Sequence, residues 1–110
     1  MSTYTITHHA RVRFVQRLIG IPDESEAEMI LSKHGYLVER WIRSLFRQAH
    51  EIKAPLWRKE TGVKLMLKDN AIFVVRRNRN KKRYVLTVID RRSYFQTERK
   101  RLAELTRHMS

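Results

Sequence analysis

Cysteine is absent from the 110 residues. That removes disulfides, thiolate nucleophiles and cysteine-based zinc sites together, and it fits a reducing compartment. No apolar run approaches the roughly 20 residues needed to cross a bilayer, and no secretory leader pattern opens the chain, so a cytoplasmic protein with no membrane partner is expected. Internal repeats and low-complexity tracts are missing, as are helix-turn-helix spacing with a convincing recognition helix and an RNP-like aromatic strand. Acidic residues are scarce: 11 Asp and Glu face 24 Lys and Arg, for a formal charge of +13. Solubility does not require so large an excess, and an anionic partner is the natural inference, nucleic acid first.

What is present suffices for one domain over residues 1–110, with 42% hydrophobic residues to build a core. Tyr4 and Ile6 alternate with polar neighbours, so residues 3–6 read as a short strand. Thr7 can cap a helix that Gly20 closes, with Ala10, Val12, Phe14, Val15, Leu18 and Ile19 on its apolar side. Asp23 and Glu26 have capping-box spacing for a second helix to about His34. Gly35 separates it from a third, in which Leu37, Val38, Trp41, Ile42, Leu45, Phe46, Ala49 and Ile52 recur every three to four residues, with Trp41 and Phe46 assigned to the core.

Pro55 ends this helical half, and after a connection containing Trp57 the period changes from helix to strand. Residues 63–68, 71–77 and 83–90 read as three strands of an antiparallel meander, the middle one apolar on both faces and therefore central. Ser93 with Gln96 predicts a capped helix over 94–107, with Leu102 and Leu105 available to dock. The expected fold is α+β, N-terminal helices packed on a three- to four-stranded antiparallel sheet with a C-terminal helix.

His9, Arg13 and Arg17 lie at i, i+4 and i+8 on the polar stripe of the first helix, where they can meet one phosphate-bearing ligand. The run from Ile6 to Arg17, with its His-Ala-x-x-Arg-Phe-x-x-Arg core, resembles the opening of small phage- and plasmid-borne proteins that look like members of the superfamily of RelE-type toxins, barnase-like nucleases and colicin ribonuclease domains. The strand Tyr84-Val85-Leu86-Thr87-Val88 is similar to the close of the same pattern. The resemblance implies metal-independent RNA cleavage by 2'-hydroxyl attack, with His9 as proton carrier and Arg13 and Arg17 clamping the phosphate. It also gives Thr87 a site role, although strand parity places Thr87 with Val85 and Ile89, inside the core.

His34, His50 and His108 lack ligand-like spacing, so no metal or other cofactor is expected. From Arg76 to Arg107 the chain holds twelve Lys and Arg against Asp90, Glu98 and Glu104. Nucleic-acid contact is therefore expected from Arg76, Arg77, Arg79, Lys81, Lys82, Arg83, Tyr84, Arg91 and Arg92, RNA being favoured over DNA. Three classes stay open: an endoribonuclease of toxin type neutralised by an acidic inhibitor protein, a non-catalytic DNA- or RNA-binding regulator, and a phage-type effector steered by charge to an acidic host protein.

Overall fold

A computed structural model describes residues 4–52, 62–78, 80 and 82–109. The predicted Pro55 boundary and Trp57 connection, together with Arg79 and Lys81, lie outside the described residues. The elements run β1 (Tyr4–Ile6), α1 (His8–Phe14) continued by a π turn (Val15–Ile19), α2 (Glu24–Arg47), β2 (His50–Ile52), β3 (Val63–Lys68), β4 (Ala71–Arg77), β5 (Arg83–Asp90) and α3 (Arg91–Met109). They form an α+β fold around one sheet of order β1-β5-β4-β3-β2.

The expected sheet is corrected in two ways. It has five strands, and it is mixed, because β1 pairs in parallel with β5 while the other neighbours are antiparallel. The second extra strand, β2, falls where helical spacing through Ala49 and Ile52 predicted more helix. Two apolar residues three apart fit a last helical turn and a three-residue edge strand equally well. Ile52 pairs with Leu65 and packs on the sheet instead of beside α2.

The capping signals of Thr7, Gly20 and Asp23 hold. Thr7 accepts from the Ala10 amide at 3.1 Å, Gly20 closes the π turn at φ 92°, and the Asp23 side chain accepts from the Glu26 amide at 3.0 Å. The break expected at Gly35 is only a local kink at His34 (φ −131°, ψ 25°), after which α2 continues. α3 begins earlier than predicted, because Asp90, not Ser93, caps it by accepting from the Ser93 amide at 3.0 Å.

β4 is central, and its five residues Ala71 to Val75 are all buried. Ala71, Phe73 and Val75 face α1 and α2, joining Ala10, Phe14, Val15, Ala27 and Ile42; Ile72 and Val74 face the other way, with Leu65, Leu67 and Tyr94. Phe46 is half-buried in an edge-to-face array with Tyr4 and Phe73, whereas Trp41, assigned to the core, is 51% exposed and touches Phe14 only edge-on. Arg11, the one interruption of α1's apolar side, donates to Glu39 at 2.8 Å through Nη2, while its buried Nε has no partner among the described residues.

Candidate nucleic-acid interface

β1 ends opposite Val85, which leaves the rest of β5 as an open sheet edge whose carbonyls need partners. The helix crossing that edge supplies them. β5 carries a bulge: Val74 pairs with Thr87 but Val75 pairs with Val85, so Leu86 is the extra residue. The Thr7 hydroxyl shares its proton between the carbonyls of Val85 (3.0 Å) and Leu86 (3.1 Å). Further along, Arg17 Nη1 donates to the Val88 carbonyl at 2.8 Å.

The bulge also reverses the parity on which Thr87 was placed. Val85 and Val88 share the α1 face, and Thr87 stands with Ile89 and Val74 on the opposite face, half-buried. Alternation cannot register an inserted residue.

The row expected of His9, Arg13 and Arg17 is interrupted by the π turn, in which the Gly20 amide bonds five residues back to Val15 at 3.1 Å. His9 stays exposed on α1, and its side chain makes no hydrogen bond or ion pair among the described residues. Its neighbour His8 instead pairs with Glu28 of α2 at 2.8 Å. Arg13 is tied to Gln16 Oε1 at 2.8 Å, and Gln16 in turn donates to the Pro22 carbonyl at 2.8 Å. Arg17 lies close enough to Arg13 that partial burial and this like charge together push its guanidinium below the ordinary arginine value, with Asp90 opposing.

Arg17 therefore meets α3, not the far end of the sheet. With Ile89, Asp90, Ser93, Tyr94, Thr97, Glu98 and Arg101 it lines a cleft of about 330 Å³ between the end of β5 and α3. Tyr94 is the floor. Burial pushes its phenol up most, the hydrogen bond to Glu98 and that carboxylate's charge add to the rise, and Arg101 works against it. A phenol whose folded-state pKa exceeds its unfolded value gives its full stabilisation below pH about 10 and loses it as the pH rises further. Wild-type protein is accordingly expected to lose more stability than Tyr94→Phe between about pH 9 and 11, read from urea midpoints across that range. Equal losses would remove the buried phenol as the cause.

No protein-family model, curated protein or solved structure matches this chain. Its chemistry has to be read from its own residues.

The other described cations expected at the interface fall at the two ends of β5. At the β4–β5 tip, the Asn78 side chain accepts from the amides of Asn80 (3.1 Å) and Lys82 (3.0 Å), which fixes the turn that carries Lys82. Arg76 is paired across from Tyr84 and Arg77 from Arg83, and Arg83 stacks over the Tyr4 ring at 5.6 Å. Tyr84 and Arg76 lie on the face opposite α1, so the structure does not bring them to His9 and Arg13. At the other end, about 23 Å away along the strand at 3.3 Å per residue, α3 carries Arg91, Arg92, Arg99, Lys100 and Arg101.

Sequence reasoning missed Arg99, Arg101, Phe95 and Tyr94. Arg91, Phe95 and Arg99 sit at i, i+4 and i+8, the spacing that singled out His9, Arg13 and Arg17, so the signal was there. Among the described residues no group of three or more His, Asp or Glu is arranged to hold a metal ion.

Proposed function

We propose that this protein binds nucleic acid through the β4–β5 tip and α3. The observation that carries the reading is the state of the cations. Among the described residues, ion pairs join His8 to Glu28, Arg11 and Arg43 to Glu39, and Lys68 to Asp69. None involves a Lys or Arg between Arg76 and Arg101. Basic residues on an ordinary solvated surface are interspersed with acids and pair with them, as His8, Arg11 and Arg43 do here. A basic stretch whose described residues pair with no acid keeps its field for a polyanion, whose phosphates release condensed ions when neutralised.

RNA is favoured over DNA because the opening helix and last strand resemble ribonuclease-type proteins. The reading stops at binding: among the described residues His9 has no partner to orient it, and Arg13 and Arg17 are each engaged, with Gln16 and with the Val88 carbonyl. General acid–base work needs a positioned proton carrier beside its phosphate clamp.

Fluorescence anisotropy with a labelled RNA strand tests the reading. Raising salt from about 50 to 200 mM is expected to weaken binding by on the order of a hundredfold or more, since about six neutralised phosphates give a slope near −4 on single strands. Replacing Arg76, Lys82 and Arg83 by glutamine is expected to flatten that slope by about 2. Negligible binding at the lowest salt, or binding indifferent to salt, would overturn it.

A further inference from the structure

On the side of α3 away from Arg17 lies a second pocket, about 440 Å³ in volume, between the β3–β4 turn and the first turns of the helix, lined by Asn70, Arg91, Arg92, Phe95, Gln96 and Arg99. We infer that it takes one unpaired base of a single-stranded nucleic acid together with the phosphates on either side. This rests on the nucleic-acid reading above and narrows it to strands whose bases are unstacked.

Three guanidiniums and no carboxylate line the pocket. The acids adjacent to these residues in the chain are turned elsewhere: Asp69 lies 3.8 Å from Lys68, Asp90 caps the Ser93 amide, and Asp90 and Glu98 both line the Arg17 cleft. Arg91, Arg92 and Arg99 are exposed and make no ion pair among the described residues. Arginine forks match pairs of phosphate oxygens, so these three are suited to a backbone that passes the pocket mouth.

The aromatic component distinguishes this pocket from a plain basic patch. Phe95 is 38% exposed, with the Tyr94 ring edge-on at 5.2 Å and the Arg91 guanidinium 5.7 Å over its centre. Ring and guanidinium are both flat surfaces on which any base can stack, provided the base has left its own stack. The Asn70 and Gln96 side-chain amides make no hydrogen bond among the described residues. Each offers a donor and an acceptor to the edge of a stacked base. The walls are also fixed to one another, because the Arg91 amide donates to the Asn70 carbonyl at 2.8 Å and joins the helix start to the turn. The volume is that of a small-ligand site.

The test compares a labelled oligouridine strand with an RNA duplex of the same length, over the same series of salt concentrations, for the whole chain and three variants. Wild-type protein is expected to bind the strand more tightly than the duplex. Phe95→Ala should weaken strand binding about tenfold, the scale of one lost base–aromatic stack, and leave duplex binding unchanged. Phe95→Leu keeps apolar bulk against Tyr94 and should show the same loss with an unaltered thermal melt. Arg99→Gln should lower the salt slope on the strand by about 0.7. Duplex binding as tight as strand binding, or Phe95→Leu behaving as wild type, overturns the pocket while the wider reading stands. Failure to bind either RNA overturns both.

Discussion

Phe73→Ala is expected to cost the fold about 3–5 kcal/mol, the range for removing a fully buried aromatic ring. Phe73 is completely inaccessible, in the middle of the central strand, and Phe46 meets it edge-on at 5.5 Å while itself meeting Tyr4 at 4.6 Å. The array joins β1, α2 and β4, so the cavity left by alanine can close only if three elements move together. A small domain has about 5–15 kcal/mol of stability in all, and this one substitution removes a large part of it. Urea unfolding should show a lowered midpoint with an unchanged slope, the sign of a less stable but equally compact native state. A loss under about 1.5 kcal/mol would mean that the surrounding core collapses onto the gap, contrary to a tightly packed interface between sheet and helices.

Tyr94→Ala is expected to act locally where Phe73→Ala acts on the whole. α3 touches the sheet mainly through its first turns: Tyr94 is buried against Leu65, Leu67, Ile72 and Val74, while Leu102 and Leu105, predicted to dock, remain 52% and 50% exposed. Without the ring, a strongly basic helix has little to hold it folded, since most of a helix's stability in a protein comes from tertiary packing of its apolar face. α3 contributes 19 helical residues against 24 in α2 and 7 in α1, so its melting should remove about a third of the helical ellipticity. Trypsin should then cut readily at Arg99, Lys100 and Arg101, while the remainder unfolds at a midpoint higher than that of Phe73→Ala. If ellipticity and the sheet are instead lost in one step at the Phe73→Ala midpoint, α3 is an integral part of the core. The same variant bears on function, because a detached helix takes Arg101 from one cleft and Phe95 from the other.

Both variants separate what is written locally in this chain from what is not. Thr7 and Asp23 act on amides, and Gly20 on a carbonyl, within a few residues, so their caps were legible from identity and spacing alone. The strands 63–68, 71–77 and 83–90 were legible for the same reason, as alternation or continuous apolarity over a short run. The basic character of the last third is composition and needs no fold.

Other features depended on residues far apart in the chain. β1 finds β5 across more than two thirds of the sequence, and β2 becomes a strand only because β3 presents an edge to it. The Leu86 bulge turns Thr87 away from Val85, and the π turn directs Arg17 to the Val88 carbonyl and the cleft under α3. Neither has a local signature, since each is set by how the helix and the open strand edge satisfy one another. Charge, caps and strand segments thus belong to the sequence by itself. That Arg17 joins Tyr94 in one cleft and Asn70 joins Phe95 in the other was decided by tertiary packing, because hydrogen-bond pairing and burial are properties of neighbours in space that periodicity along one segment does not encode.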